Sequence, residues 1–267
     1  MTDGAPVIDI VRPVDAATII LARQPEEAPW ECFMVRRHVL SDFAADVFVF
    51  PGGKVDESDH DPAIAPFVRD RANLEGDSHD VTSLAVKLAA MRELFEEAGV
   101  LLAERDGVGL VRLDGEAQER YAQYRRMLHT GQLSLLELAR RERLCFAAHR
   151  LHPFSRWITP VNSPRRYDTR FFVTQMPEGQ EPLHDALETT DSAWIAPGDA
   201  LERFHRGDFP LVYATEKHLE RMARYASIEE MIAATTIEDL EPVLPQIVQR
   251  GSDTIFLLPG DEGYPQQ

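Results

Sequence analysis

Three glutamates, Glu93, Glu96 and Glu97, lie close together after Arg92 and just before Gly99. On an α-helix, residues three and four apart are neighbours, so the three carboxylates would share one face. Like charges at this spacing repel by about 0.2–0.5 kcal/mol per pair when exposed, and by more when partly buried. A divalent cation would relieve the repulsion, and oxygen ligands suit Mg²⁺ or Mn²⁺. The cluster therefore indicates metal-assisted chemistry.

A helix from about residue 81 to 98 must carry these carboxylates. The apolar residues of this stretch recur at spacings of four, three and four and predict a buried stripe: Leu84, Leu88, Met91 and Phe95. Asp80 is placed to cap the start of the helix, and Gly99 to end it. The glutamates fall roughly opposite the stripe. The alternative reading of that face is a solvated surface on which Arg92 pairs with Glu96.

A second feature precedes the helix. Phe48-Val49-Phe50 is a short apolar run typical of a strand, and it leads directly into Pro51-Gly52-Gly53. Two glycines after a strand permit positive φ angles and let the backbone approach a ligand closely. A strand, a glycine turn and a glutamate-rich helix together are far more specific than a glycine turn alone.

These features resemble the signature box of the Nudix hydrolases, G-x5-E-x7-R-E-U-x-E-E-x-G-U, where U is a bulky aliphatic residue. The matching residues are Gly53, Arg92, Glu93, Leu94, Glu96, Glu97, Gly99 and Val100. Asp59 stands where the box has its first glutamate, and 32 residues rather than seven separate it from Arg92, an insertion of 25. An insertion here, at about 61–86, resembles the coenzyme A diphosphatase-like branch. Loop closure costs rise slowly with length, so the insertion is tolerable.

The resemblance implies a role for each matching residue. Glu93, Glu96 and Glu97, with the backbone carbonyl of Gly53, are expected to hold Mg²⁺ or Mn²⁺. Glu93 is also a candidate base. Arg92 is expected to orient the glutamates and is counted with them as catalytic. Asp59 is expected to brace the loop, unless it lies idle in the insertion.

Basic side chains are candidates for contacting the substrate's phosphates, and five are assigned to substrate binding: Arg36, Arg37, Lys54, Arg166 and Arg170. The first two close a strand before the glycine turn, and a solvated strand end is their alternative. Strand alternation would put Arg166, Asp168 and Arg170 on one face, with the carboxylate between the guanidiniums. One of these arginines is a candidate for the 3′-phosphate of coenzyme A, and local pairing to Asp168 is the alternative.

Other residues are weaker candidates for the catalytic base or for contact with the substrate. His184, Asp185 and Glu188 lie in a late loop that supplies the base in some Nudix enzymes. Trp157 is placed either to stack on an adenine or to fill the core. A helical stripe is read either as a substrate wall or, more often for such stripes, as packing: Tyr121, Tyr124 and Leu128.

The remaining pattern predicts strands and helices without regular alternation. Strands are predicted at 16–21, 32–35, 47–50, 149–159, 167–175, 192–195 and 254–258, and further helices at 115–129, 134–146, 199–206, 214–225 and after Ser227. This mixture predicts an α/β fold, an α/β/α sandwich around a mixed sheet, which is also what the resemblance implies. We expect one Nudix domain at 10–265, with insertions at about 61–86 and 104–146.

Charge and composition exclude several functions. The chain of 267 residues has a net charge of −17, which argues against nucleic acid or an anionic membrane as partner. It contains no apolar run long enough to span a membrane and no secretory signal pattern. Cys32 and Cys145 are expected to be buried free thiols, which fits a cytoplasmic location.

The resemblance implies hydrolysis of a pyrophosphate bond in a nucleoside diphosphate derivative. The branch favours coenzyme A or acyl-coenzyme A, giving 3′,5′-ADP and phosphopantetheine. The alternatives are ADP-ribose, NADH or a nucleoside triphosphate as substrate, and a non-catalytic nucleotide sensor. A homodimer is left open beside a monomer.

Overall fold

The computed structural model describes residues 11–38, 45–70, 83–105, 109–185, 188–236, 238–251 and 253–264. Most of the predicted insertion at 61–86, including the predicted cap Asp80, lies outside these residues.

The strands, in chain order, are β1 (Val14–Arg23), β2 (Glu31–Arg37), β3 (Phe48–Val49), β4 (Gly52–Lys54), β5 (Ala103–Arg105), β6 (Gly109–Leu110), β7 (Leu144–Phe146), β8 (His152–Ile158), β9 (Tyr167–Gln175), β10 (Thr189–Ile195), β11 (Pro242–Val243), β12 (Gln246–Arg250) and β13 (Asp253–Leu257). The α-helices are α1 (Leu84–Ala98), α2 (Glu116–His129), α3 (Leu135–Glu142), α4 (Pro197–Arg206), α5 (Tyr213–Met222) and α6 (Ile228–Ala234). Short 3₁₀ turns include Glu57–His60 and Pro62–Phe67.

The main sheet is mixed. Its strand order is β10-β2-β1-β9-β8-β11, with β3 added to β2 and β4 to β1. The central strand β1 runs parallel to β9 and antiparallel to β2 and β4. A small sheet, β6-β5-β7, and the β12–β13 hairpin lie outside it.

Alternation along β1 supplies both faces of the sheet. Ala17, Ile19 and Leu21 are buried in the core shared with α1 to α3. Ile20 and Ala22 point the other way, into a second core shared with α4 to α6. Helices therefore cover both faces, and the predicted α/β/α sandwich around a mixed sheet is confirmed.

The helix α1 carries the predicted stripe: Leu88, Met91 and Phe95 are buried, with Leu84 packed beside them. It begins after Ser83, later than predicted, and ends at Gly99, whose φ of 70° is the predicted left-handed conformation. The opposite face is buried too, because every residue from Ala85 to Ala98 is buried. The solvated reading of the glutamate face is therefore wrong.

Two other sequence predictions need correction. The helix predicted over 134–146 ends at Glu142, because Arg143 adopts a left-handed conformation with a φ of 54°. Residues 144–146 then pair with β5. This strand also explains why Cys145 is only half-buried: its neighbours point inward, so its own side chain points outward. Neither cysteine forms a disulfide, and Cys32 is buried as predicted. Of the described helices, none has the length and apolar character needed to cross a bilayer.

Candidate active site

The glycine turn and α1 meet beside the central strand. Gly52 and Gly53 pair with Thr18 and Ala17 of β1, and the backbone N–H of Gly52 donates a hydrogen bond to Glu97 Oε2 at 2.9 Å. A Cβ atom on Gly53 would lie 2.3 Å from Glu93 Oε1. The lack of a side chain at Gly53 therefore leaves room for the Glu93 carboxylate to approach its backbone.

Arg92 lies at the centre of the cluster and is buried. Its Nη1 donates to Glu93 Oε1 at 2.8 Å and to Glu96 Oε2 at 3.2 Å. Its Nη2 donates to the Lys54 carbonyl at 2.9 Å and to Asp59 Oδ2 at 3.0 Å. Asp59 is itself buried and accepts from the backbone N–H of Asp56. One guanidinium therefore ties Glu93 and Glu96 to the segment from Lys54 to Asp59, despite the long insertion that follows it.

Burial dominates the electrostatics of the glutamates. It raises the pKa of Glu93 and of Glu96 to about 7, against the opposing pull of Arg92. Burial, followed by the charge of Glu93, raises the pKa of Glu97 well above its usual range. A single guanidinium thus leaves the cluster short of positive charge, and an added cation would favour the ionised carboxylates.

The chemistry of the donors fits Mg²⁺ or Mn²⁺, because all are carboxylate or carbonyl oxygens. Within the described residues, however, no three acidic, imidazole or thiol side chains are arranged as a ready metal shell. Glu93 and Glu96 turn toward Arg92, and Glu97 turns toward the Gly52 amide. Each carboxylate keeps further lone pairs for a metal, since these bonds occupy only part of its capacity.

A cavity of about 380 Å³, hereafter the carboxylate cavity, opens at this cluster. Its acidic, basic and histidine lining residues are Arg37, Lys54, Asp56, Arg92, Glu93, Glu96, His129 and Glu188. Arg37 Nε is buried and makes no hydrogen bond to the described residues. Lys54 is exposed, with its Nζ 3.5 Å from Asp56 Oδ1. Two of the five predicted basic residues therefore line the same cavity as Glu93 and Glu96, whereas Glu97 is not among its described lining residues.

The structure places the other three predicted arginines elsewhere. Arg36 pairs with Asp46 at 2.9 Å and does not line the cavity, because neighbouring strand residues point to opposite faces. Arg166 is buried and donates to the carbonyls of Val11 and Thr159, at 2.8 and 3.0 Å. Arg170 pairs with Asp15 and Asp168.

The predicted position of Asp168 between Arg166 and Arg170 is wrong. Its second partner is Arg156, whose Nη2 lies 2.6 Å from Asp168 Oδ2. Arg156 is the cross-strand neighbour of Arg170 on β8, a pairing that spacing within β9 cannot indicate. For Arg170, the alternative reading of local pairing agrees with the structure.

Two residues of the carboxylate cavity come from distant parts of the chain. His129 ends α2 and carried no sequence signal of its own. Glu188 is the one late-loop candidate that lines the cavity, and its charge contributes to the raised pKa of Glu93 and of Glu97. Asp185 instead accepts from the backbone of Thr189, and His184 lies 3.3 Å from Ser192 Oγ.

A second cavity of about 380 Å³, hereafter the apolar cavity, adjoins the first. The residues that line both are Thr18, Arg37, Gly52, Tyr167 and Thr169. Trp157 is half-buried in its wall rather than enclosed in the core.

By contrast, a larger cavity of about 520 Å³ lies beside Gly99 and α2, and none of the three glutamates is among its described lining residues. Tyr121 and Tyr124 donate to Glu142, which agrees with a packing role.

Comparisons with known proteins agree with the geometry. The family description "NUDT19 Nudix domain" matches residues 60–222. The chain is 27% identical to the acyl-coenzyme A diphosphatase NUDT19 of Xenopus laevis over 280 residues, which covers 91% of this chain and 74% of that protein. The human protein of the same name is also 27% identical, over 282 residues, with the same coverage. A Nudix hydrolase structure from Alicyclobacillus acidocaldarius superposes with a TM-score of 0.71 at 25% identity, covering 85% of this chain and 98% of that one.

Proposed function

Because the chain belongs to the NUDT19 Nudix domain family, we propose that it hydrolyses the pyrophosphate bond of coenzyme A or acyl-coenzyme A. The products are 3′,5′-ADP and phosphopantetheine or its acyl form. The observation that carries the proposal is the buried cluster of Glu93, Glu96 and Glu97, bound by Arg92 and placed against the glycine turn. The names of the relatives support this choice of substrate.

A bound divalent metal, Mg²⁺ or Mn²⁺, would supply a Lewis acid for the phosphoryl oxygens and for the attacking water. Glu93, Glu96, Glu97 and the Gly53 carbonyl are the residues that would hold it. Arg92 keeps Glu93 and Glu96 in place through its hydrogen bonds, as oriented ligand shells require. Loss of any of the glutamates removes charge that this chemistry depends on.

Arg37 is the best-placed residue to bind the diphosphate. Its guanidinium lines the carboxylate cavity, and its buried Nε makes no hydrogen bond to the described part of the protein. A buried donor without a partner costs free energy, and a phosphate oxygen would satisfy it. Lys54, at the rim, adds a second positive charge in a protein whose net charge is −17.

Proton removal from the attacking water needs a carboxylate near the cluster. Glu93 is our first candidate, because it lies closest to the Gly53 backbone. Glu188 is the second candidate, because it lines the same cavity although it comes from a distant part of the sequence. The pH profiles of Glu93→Gln and Glu188→Gln distinguish them: loss of the base removes the ionisation that limits the rate at low pH.

The decisive experiment is a product screen with Mg²⁺ or Mn²⁺ and a panel of substrates. The panel contains coenzyme A, acetyl-coenzyme A, dephospho-coenzyme A, ADP-ribose, NADH and nucleoside triphosphates. We expect cleavage of the coenzyme A compounds and its collapse in Glu97→Gln, while this variant still binds its ligand. Cleavage of ADP-ribose or NADH alone would exclude the coenzyme A substrate. Ligand binding without turnover of any compound would favour a sensor.

We also propose a single domain from about 10 to 265 and a reducing location such as the cytoplasm. The location rests on the two cysteines, neither of which forms a disulfide. The acidic net charge supports a small-molecule partner rather than nucleic acid.

A further inference from the structure

We propose that the apolar cavity binds the uncharged half of the substrate, the pantetheine arm together with its thioester-linked acyl group. This inference rests on the proposed function and adds to it which half of the molecule enters which cavity. The 3′-phosphoadenosine half then extends away from this cavity.

The two cavities are joined at the place where a diphosphate would lie. Arg37 lines both of them, and so does Gly52, whose N–H holds Glu97. Thr18, Tyr167 and Thr169 complete the junction. A substrate with its diphosphate at Arg37 and the glutamates therefore has one of its two halves at the entrance to the apolar cavity.

Charge decides which half fits. Among the described lining residues of the apolar cavity, Arg37 alone carries a charge, and it lies at the diphosphate end. The adenosine half carries a 3′-phosphate dianion, which would lose its hydration here without a positive partner. The pantetheine arm is uncharged and consists of two amides, a dimethyl-substituted carbon, methylene groups and a thioester. Such a chain loses little on leaving water.

The walls of the cavity suit this arm. Trp157 and Tyr213 lie with ring centroids 6.5 Å apart, and Tyr213 stacks on Phe256 at 4.5 Å. Hydroxyl-bearing residues Thr159 and Thr215 also line the cavity and can bond to the arm's amides.

A buried histidine lies behind Trp157. His218 is buried, with its ring 5.2 Å from that of Trp157. Its Nδ1 lies 2.6 Å from the Ala214 carbonyl and its Nε2 lies 2.7 Å from Ser155 Oγ. The carbonyl can only accept, so Nδ1 carries a proton. Burial lowers the pKa of His218 to about 4, so the imidazole is neutral and Nε2 accepts from the Ser155 hydroxyl. His218 therefore supplies no positive charge for a phosphate. Lys217, whose Nζ lies 5.3 Å from the Tyr213 ring centroid, is already paired with Glu216 and Glu220.

Part of the cavity comes from outside the matched family region. That region ends at residue 222, whereas Ile247 and Phe256 belong to the β12–β13 hairpin. Ile247 and Phe256 are cross-strand partners, so the hairpin presents both as one patch. The hairpin is thus the element that determines how an acyl-pantetheine chain is accommodated.

Ile247→Trp, which narrows the cavity, tests the proposal. Gln249→Trp is the matched control, because Gln249 is an exposed residue of the same strand that does not line the cavity. Isothermal titration with each product separates the two halves: 4′-phosphopantetheine for one and 3′,5′-ADP for the other. We expect Ile247→Trp to weaken binding of 4′-phosphopantetheine at least tenfold and to change that of 3′,5′-ADP less than twofold. The control should leave both unchanged.

Two results would overturn the proposal. One is weaker binding of 3′,5′-ADP with unchanged binding of 4′-phosphopantetheine, which would assign the cavity to the adenosine half. The other is no effect on either product. If Ile247→Trp fails to fold by circular dichroism, Phe256→Ala is used instead, and it should weaken 4′-phosphopantetheine selectively. The proposed function fails separately, if the wild-type protein cleaves no coenzyme A compound.

Discussion

Lys87 Nζ lies 2.9 and 2.8 Å from the two carboxylate oxygens of Asp70, and both side chains are buried. Asp70 immediately precedes the stretch 71–82, and Lys87 lies in the first turns of α1. The ion pair therefore joins the residue before the stretch 71–82 to the first turns of the helix that carries the glutamates. It explains how the signature box tolerates so long an interruption.

Removing one member of this pair should be more harmful than removing both. Lys87→Met leaves the Asp70 carboxylate buried without its partner, at a cost of about 3–5 kcal/mol. The double variant Asp70→Leu with Lys87→Met should recover much of that loss, because no lone charge remains. Urea unfolding of the two variants and the wild type measures the difference. Equal stability of the single and double variants would contradict this account of the pair.

The two glycines of the turn should respond differently to alanine. A Cβ at Gly52 would lie 2.4 Å from the Ala17 carbonyl oxygen, which is backbone and cannot move aside. A Cβ at Gly53 would meet the end of the Glu93 side chain, which can rotate. We therefore expect Gly52→Ala to lower the melting temperature, and Gly53→Ala to fold normally while losing most activity. Thermal melts and kcat measured on the same preparations test this, and an active Gly53→Ala enzyme would refute it.

The contribution of Glu93 and Glu96 to the stability of the metal-free protein should fall as the pH rises. Burial raises the pKa of Glu93 and of Glu96 to about 7 in the folded state, above their value of 4.5 in the unfolded chain. The folded state therefore gains stability from these groups below pH 4.5 and loses it between about pH 4.5 and 7. Mg²⁺ binds the ionised form, so it should raise the melting temperature more at pH 8 than at pH 5.5. An equal increase at both pH values would count against Glu93 and Glu96 as ligands.

The contribution of His218 to stability should rise with pH, opposite to that of the two glutamates. Burial lowers its pKa to about 4, so the neutral imidazole is favoured in the folded protein. Its contribution is complete above pH 6.5 and is lost as the pH falls toward 4, amounting to roughly 3 kcal/mol. His218→Gln should flatten this part of the pH–stability curve relative to the wild type, because glutamine does not titrate. Denaturant unfolding from pH 4 to 7 measures the difference between the two curves, in which the glutamate contribution cancels. Parallel curves would rule out His218 as the titrating group.

Periodicity was enough to predict the positions of Leu88, Met91 and Phe95, and the glycine at 99 predicted the end of α1, because both depend on neighbours along one helix. The mixed sheet was predicted from strands and helices that do not alternate regularly, together with the resemblance. Burial of the glutamate face did not follow, because it depends on Asp59 and the glycine turn packing against α1.

The missed contacts share one physical cause, which is pairing between distant segments. Asp168 binds Arg156 across two strands, and His129 reaches the carboxylate cavity from the end of α2. Similarly, nothing in the sequence around Phe256 indicates that it stacks on Tyr213. Local spacing cannot report such contacts, because the tertiary fold creates them.

The β12–β13 hairpin lies after every described residue of the carboxylate cavity in the sequence, and it contributes only to the apolar cavity. The carboxylate cavity is complete once Glu188 has been synthesised, but the apolar cavity waits for Phe256. A nascent chain therefore acquires the proposed metal ligands before the surface that we propose to bind the acyl-pantetheine arm. On this proposal, mutations in the hairpin would change selectivity among thioesters over evolutionary time while leaving the glutamates unchanged.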